Sequence, residues 1–438
     1  MTESESEAHS ASLSLSLENY LRKEEWKKFG AVSTPVDVVR FMIDVAGIER
    51  WEGLDILEPG CGFCNFTSEI YRRYPNNRFT GVEINPKVYE IISRVFQPPR
   101  FRIVLGDFLL WQTDERFDLV IGNPPYGIPG DKRFAIKLPK ETREKYRRLF
   151  ETAKGKYNMY GYFIEKGVKL LKNGGKLVFI VPSTFMVLDE FSKLREFLSR
   201  TGELDIYYLG RGVFDKEVGV SVIVVTKNPS LRGVLKLYEV RNYRTKDVKH
   251  WYTKTNYKGE IIRFENEETK KFEEGKPKLG DLFRLYTGPK STEYYEHPKF
   301  SRTPKPGYVC VLKGNNIKPN RIDYDHCYTN SWIPRDAIRD FGDYLMVPHI
   351  VVGDTKGIKG TRIVAAVDDR NYPWREQIHL VPRIFMTTDE LRKVAEYLNS
   401  VEVRRYIETL YKEITPHTTR TQLKLLPLPK EYMKYLKT

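Results

Sequence analysis

Asn123, Pro124, Pro125 and Tyr126 stand together directly after an apolar run, Phe117-Asp118-Leu119-Val120-Ile121-Gly122. The side-chain oxygen of Asn123 and the backbone carbonyl of Pro124 are two hydrogen-bond acceptors at adjoining positions, and two successive prolines fix the backbone that aims them. Such a pair suits an amine whose lone pair is delocalised into an aromatic ring. Holding both hydrogens favours pyramidal nitrogen and returns the lone pair for attack. Tyr126 offers a ring face on which a planar base can stack. The plain alternative is a strand-end proline turn with a core tyrosine.

A second group surrounds Leu57-Glu58-Pro59-Gly60-Cys61-Gly62, between an apolar run and a helical stretch that starts near Asn65. Gly60 and Gly62 let the backbone approach a ligand beyond the carboxyl end of a strand, although a tight turn would need small residues as well. Glu83 closes the next run, FTGVEI, where a carboxylate can accept from both hydroxyls of a ribose. Asp107 closes a third, IVLGD, placed to accept from an adenine amino group, with Phe108 beside it to pack on the purine face. A solvated strand end or a turn cap would explain either acid alone. Three acids closing successive strands indicate an adenosine ligand. The missing third glycine and phosphate cradle argue against a dinucleotide.

These groups require a scaffold that lines up strand ends. Short apolar runs, LDIL, FTGVEI, FRIVLGD, FDLVIGN and KLVFIVP, alternate with helix-length amphipathic stretches, which predicts an α/β domain: a mostly parallel sheet with helices on both faces. Asn173-Gly174-Gly175 turns a helix into the last of these strands. Two later runs, LDIYYLG and VGVSVIVVTK, have no long helix between them and are expected to pair antiparallel and close the sheet edge. A polar turn cluster at Lys227-Asn228-Pro229-Ser230 places the domain boundary near residue 230. The expected organisation is a disordered tail over 1–16, rich in Ser and Glu, a domain over 17–230 and a second over 231–438.

The chain has 438 residues and a net charge of +15, which favours a polyanionic partner. Residues 231–438 carry about 39 basic against 27 acidic side chains, and residues 1–230 about 34 against 31, so the second half is the expected nucleic-acid grip. A thermophile-like surface would also account for many charges, though not for their asymmetry. The 4 cysteines suggest no disulfide framework, and Cys61 and Cys64, lacking a second pair at short spacing, no metal site. With no signal peptide or membrane-length apolar run, the protein is expected to be cytoplasmic.

At these motifs the chain resembles the class I S-adenosylmethionine-dependent methyltransferases. The order of GDFLLW, FDLVIGNPPYGI, GKYNMYGYFIEKGVKLLKNGGKLVFIVP and the later IIRFE, TKG, YPWRE and ITPH is similar to the Taq-type adenine-N6 DNA methyltransferases of the gamma class, which read TCGA. That resemblance runs from about Gly30 to near the C-terminus. It implies a Rossmann-like catalytic domain, a C-terminal α+β target-recognition domain and duplex DNA in a cleft between them. By the same resemblance Glu58 and Gly60 face the methionine part of S-adenosylmethionine, and Thr34, in Ala31-Val32-Ser33-Thr34-Pro35, lies near its carboxylate. Val32, Glu83, Ile84, Asp107, Phe108, Pro125 and Phe163 complete the cofactor pocket. Asn123, Pro124 and Tyr126 act on the target adenine, and Phe214 stacks on that base once it is flipped out of the helix.

The resemblance further implies the modification enzyme of a type II restriction-modification system, monomeric and without a stable complex with its cognate endonuclease. The chain departs from the family around Cys61–Cys64, in Ile358-Lys359 and around Lys313–Asn316, which leaves the target sequence open. A basic segment from Asp131 to Arg148 could embrace phosphates beside the extruded base or form a solvated helix. The alternatives are an RNA or other N-methyltransferase with the same acceptors, and a non-catalytic DNA-binding protein on this fold.

Overall fold

The computed structural model describes residues 34–127, 138–153, 158–214, 219–353, 363–412, 414–415 and 418–436. The expectations for the 1–16 tail and for Val32 lie outside these residues, as do residues 131–137 of the basic segment, Ile358-Lys359 and Pro416-His417. The chain forms two compact units, Met1–Ile262 and Arg263–Thr438.

In the first unit the elements run α1 (Val36–Val45), β1 (Asp55–Pro59), α2 (Asn65–Arg73), β2 (Arg78–Glu83), α3 (Pro86–Val95), β3 (Phe101–Leu105), β4 (Phe117–Gly122), α4 (Lys140–Leu149), α5 (Met159–Lys169), β5 (Leu171–Pro182), α6 (Ser192–Thr201), β6 (Glu203–Gly210), β7 (Val220–Thr226), β8 (Val234–Asn242) and β9 (Asp247–Lys254). They build a nine-stranded sheet in the order β3-β2-β1-β4-β5-β7-β6-β8-β9. The strands from β3 to β5 are parallel. Covered on both faces, the central strands are apolar almost throughout, as in Leu119-Val120-Ile121 and Val178-Phe179-Ile180-Val181, all fully buried. On one face α1 buries Val38, Val39, Phe41, Met42 and Ile43.

The chain lays β2 and β3 on one side of β1, then returns to place β4 on the other. The order therefore reverses between β1 and β4, where the outward-bending connections leave a crevice beyond the strand ends. This topology sets the Gly60 turn beside the Asn123 turn.

Two expectations need correction. The β6–β7 pair is antiparallel as expected, but it does not close the sheet: β8 pairs parallel with β6, and β9 antiparallel with β8. A boundary near residue 230 would cut through this ladder, so the first unit continues to Ile262. Moving the boundary also divides the charge. Residues 1–262 carry about 42 basic and 34 acidic side chains, and residues 263–438 about 31 and 24, so the basic excess is shared almost evenly.

The second unit comprises α7 (Glu267–Glu273), α8 (Leu279–Leu282), β10 (Phe283–Thr287), α9 (Ser291–Tyr295), β11 (Tyr308–Cys310), β12 (Ile317–Lys318), β13 (Arg321–Ile322), β14 (Trp332–Pro334), β15 (His349–Gly353), β16 (Val364–Asp368), β17 (Ile378–Pro382), α10 (Thr388–Leu398), α11 (Val401–Tyr411) and α12 (Arg420–Lys424). A four-stranded sheet, β10-β17-β15-β16, is antiparallel throughout, with α10 packed against β15 and β16. Its core carries buried polar groups that bond to one another, although His379 Nε2 has no hydrogen-bond partner among the described residues. The buried Asp368 accepts from Trp374 Nε1 at 2.7 Å and from Tyr324 at 3.0 Å. The buried His379 and His349 rings share a hydrogen bond of 2.9 Å. Cys310 and Cys327 form a disulfide with Cα atoms 5.6 Å apart, a single bridge that the expectation of no disulfide framework did not foresee. The pairing of β11 with β14, with β12 and β13 in the chain between them, folds the two positions together, which a separation of 17 residues does not reveal.

Candidate functional site

Gly60 and Gly62, after β1, both adopt positive φ, +64° and +52°, the left-handed region where a side chain is disfavoured. A Cβ on Gly60 would lie 3.6 Å from the ring of Phe163, so these two expected residues meet here. Glu58 is engaged differently from the expectation. Its carboxylate turns to the first turn of α2, accepting from Thr67 N at 2.8 Å, Thr67 Oγ1 at 2.6 Å and Phe66 N at 3.4 Å. It supplies the cap that the side chain of Cys64, at the N-cap position, does not. Burial pushes the Glu58 carboxyl up to about 7 against these hydrogen bonds, with the nearby Glu83 adding to the effect. Glu58 thus holds the shape of the glycine turn from beneath.

Glu83 closes β2 and is buried, accepting from Gly62 N at 2.9 Å and Asn85 N at 2.7 Å. Burial raises its pKa against the opposing backbone bonds. One carboxylate thereby ties the β1 turn to the β2 turn. Ile84 beside it is 47% exposed, an apolar side chain at the mouth of the crevice. After β3, Asp107 accepts from Leu109 N at 2.9 Å and from the Tyr146 hydroxyl at 2.5 Å. Phe108 lies 5.0 Å from Phe163, ring centre to ring centre. One turn beyond Phe163 on α5, the Lys166 ammonium sits 5.4 Å over the Phe108 ring and bonds to the Leu109 and Trp111 carbonyls. Burial lowers the Lys166 pKa to about 8.

Asn123 follows β4, and its Nδ2 donates to Thr34 Oγ1 at 3.0 Å. Thr34, expected beside the methionine carboxylate, is buried against this amide. Pro124 is buried, while Pro125 and Tyr126 are half-buried. The Tyr126 hydroxyl donates to the Ile180 carbonyl at 2.9 Å, and burial pushes its pKa upward. Phe214 is half-buried beside the core under α1, and its ring centre is 6.5 Å from that of Tyr126, the planes crossing at 73°. The two rings expected to flank a base are neighbours.

Three residues with no expected role complete the arrangement. Asn158, ahead of α5, accepts from Gly127 N at 2.9 Å, while Met159 N donates to the Gly127 carbonyl, also at 2.9 Å. Tyr146 and Lys166 brace the Asp107–Phe108 turn. Asn158 was legible only as a helix start; the basic spacing around Tyr146 drew attention to the charges rather than to the ring. Among the described residues no cluster of His, Cys, Asp and Glu could hold a metal ion, and no helix is long and apolar enough to cross a membrane.

Residues 101–214 match the Eco57I restriction-modification methylase family, residues 56–133 a methyltransferase domain, and residues 309–428 the TaqI-like C-terminal specificity domain. The type II methyltransferase M.TthHB8I of Thermus thermophilus is 40% identical over 403 residues, 92% of this chain and 91% of that protein. The chain belongs to the type II restriction-modification methylase family. The modification methylase CviBIII of Paramecium bursaria Chlorella virus NC1A is 30% identical over 53% of this methylase and 58% of its own length. The fold of the methylase is also that of a DrdV–DNA complex, with a TM-score of 0.57 at 15% identity over 94% of this chain and 57% of that one.

This methylase is accordingly a type II DNA methyltransferase with a class I fold and a TaqI-like specificity domain, and its cofactor is S-adenosylmethionine. The residues present fit that group. Two positive-φ glycines allow close approach after β1, the exposed Ile84 offers an apolar face, and Asp107 carries carboxylate acceptors at the third strand end.

Proposed function

We propose that this methylase methylates the exocyclic N6 of adenine in duplex DNA, on a base turned out of the helix, as the modification enzyme of a restriction-modification system. The observation that carries the reading is the placement of Asn123. The Nδ2 bond to Thr34 Oγ1 at 3.0 Å fixes how the amide is turned at the end of β4; in this reading its oxygen accepts one N6 hydrogen and the Pro124 carbonyl takes the second. When bound, S-adenosylmethionine supplies a methyl group already activated on a sulfonium. Asn123 and Pro124 therefore need only hold and pyramidalise the amine, whose surplus proton leaves to solvent after the N–C bond forms. Positioning and electrostatics supply most of the acceleration.

A paired adenine cannot reach such a pocket, which is why extrusion belongs to the reading. Tyr126, its hydroxyl pinned to Ile180, and Phe214 at 6.5 Å supply aromatic walls for the displaced base. Glu83, Ile84, Asp107, Phe108 and Phe163 serve the cofactor's adenosine, Gly60 and Pro125 its methionine end, and Val32 and Thr34 flank that end. Glu58 acts on the same turn from within. The first duplex to test is TCGA, following the Taq-type resemblance, with a monomeric enzyme and an endonuclease that forms no stable complex with it.

The test is Asn123→Ala. Cofactor affinity should persist while single-turnover methylation falls by roughly a hundredfold or more, the loss expected for one preorganised polar group. Wild-type turnover in this variant would remove Asn123 from the chemistry and the reading with it.

A further inference from the structure

Helix α4 (Lys140–Leu149), KETREKYRRL, is polar along almost its whole length, and Tyr146 is its one buried residue. A helix this polar has little apolar burial to hold it, so the contact made by its one buried residue bears on function. That contact is specific. The Tyr146 hydroxyl donates to Asp107 Oδ2 at 2.5 Å, at the short end of the O–H···O range. The other carboxylate oxygen accepts from Leu109 N at 2.9 Å. With one fixed donor on each oxygen the carboxylate plane cannot rotate. Each oxygen has a second lone pair to offer, so these bonds orient Asp107 without saturating it.

The same turn is clamped from α5. Phe163 packs on Phe108 with ring centres 5.0 Å apart, and Lys166 bonds to the Leu109 carbonyl at 3.1 Å. Phe163 and Lys166 are three residues apart and so project from one helix face. The Asp107–Phe108 turn is thus held from two helices, with Tyr146 bonded to the carboxylate's second oxygen.

We infer that Tyr146 is a positioning residue of the cofactor's adenine subsite: it sets the Asp107 carboxylate so that the pocket selects a 6-amino purine over a 6-oxo purine. The inference rests on the reading of Asp107 as acceptor for the cofactor's adenine amino group. An oriented carboxylate gains a hydrogen bond from a 6-amino group and repels a 6-oxo group, which offers only lone pairs. A carboxylate released to rotate gives up part of both effects. Discrimination therefore falls further than affinity for either ligand.

The test uses the full-length protein and two probes, S-adenosylhomocysteine and its 6-oxo analogue S-inosylhomocysteine, with dissociation constants measured by calorimetry for wild type, Tyr146→Phe and Asp107→Asn. Wild type should prefer the amino ligand by roughly a hundredfold, short of the ten-thousandfold or more of a fully desolvated hydrogen-bonding site, because Asp107 is only half-buried. Tyr146→Phe should narrow that preference about tenfold, and its loss in methylation should appear in the KM for S-adenosylmethionine rather than in kcat. An unchanged preference in Tyr146→Phe overturns the inference. So does an equal loss for both ligands accompanied by a lower melting temperature, which would make the tyrosine a packing residue. If Asp107→Asn keeps the wild-type preference, the adenine subsite itself is misplaced; that result removes the underlying reading and the inference together.

Discussion

The two units of this methylase differ in how their sequence relates to their structure. In the first, residues as far apart as Gly60 and Asn123 meet because a parallel sheet gathers the strands' carboxyl ends along one edge. Gly60 and Asn123 directly follow their strands, Glu83 closes β2 and Asp107 stands just past the end of β3, so a local motif is enough to place each of them. In the second unit the strands are short and antiparallel, and its buried polar pairs come from distant positions. His349 meets His379, Tyr324 meets Asp368, and Cys310 meets Cys327. Spacing along the chain gives no sign of these pairings. The lesson is that crossover topology makes a site readable, whereas antiparallel pairing hides its contacts until the register is known.

The largest effect expected from this division concerns separating the units. A chain ending at Ile262 should bind S-adenosylmethionine and lose sequence preference among duplexes by a thousandfold or more, roughly the usual gap between specific and non-specific binding. Because the basic excess is shared, this fragment should keep a substantial salt dependence of DNA binding, with a slope of about 0.9 per phosphate contact retained. Filter binding across a salt series, after circular dichroism has verified folding, checks both. A fragment with full sequence preference would erase the contrast.

The disulfide provides a test confined to the second unit. Replacing Cys310 and Cys327 by serine should destabilise that unit by about 3 kcal/mol, the scale for a loop of this length. Calorimetry should show the transition of the second unit moving down while that of the first stays in place. A shift of the first unit's transition instead would show that the two do not melt separately.

A comparable effect belongs to Glu58 in the first unit. Its folded pKa of about 7 stands above its ordinary value of 4.5, so its contribution to stability is fully present below about 4.5 and is lost as pH rises through about 7. Glu58→Gln keeps an acceptor for Thr67 and removes the titration. The variant should gain on wild type by on the order of 3 kcal/mol between those pH values. Parallel melting curves for the two proteins across that window would return Glu58 to an ordinary, solvated carboxylate.

Sequence reasoning reached the parallel half of the sheet because its strands are continuous apolar runs bounded by turn residues. It stopped the first unit too early, since Lys227–Ser230 forms a turn within the sheet and β8 and β9, half-exposed at its edge, carry Lys, Arg and Tyr instead of an apolar run. It proposed Asn123, Tyr126 and Phe214 for the target base, and the rings of the last two are 6.5 Å apart. It assigned Glu58 to a ligand because a strand-end acid can serve either a ligand or the next helix, and only geometry separates the two. Tyr146 was missed because its partner lies 39 residues away.

The smallest predicted effect tests the aromatic pair. Phe214→Ala should weaken methylation of a paired adenine by about 1–3 kcal/mol, the worth of one base–aromatic stack, and Phe214→Trp should restore part of it. A mismatch opposite the target should partly rescue Phe214→Ala by lowering the cost of extrusion. If the variant instead loses thermal stability with no rescue, Phe214 is part of the core on which it rests.

The central claim is that this enzyme methylates adenine N6 in DNA. Incubating the protein with methyl-labelled S-adenosylmethionine and a TCGA-containing duplex, followed by digestion to nucleosides and mass spectrometry, tests it most directly. Label in N6-methyladenosine's deoxy form, absent with Asn123→Ala, is the expected result. Label on cytosine, or incorporation that Asn123→Ala leaves intact, would contradict the account.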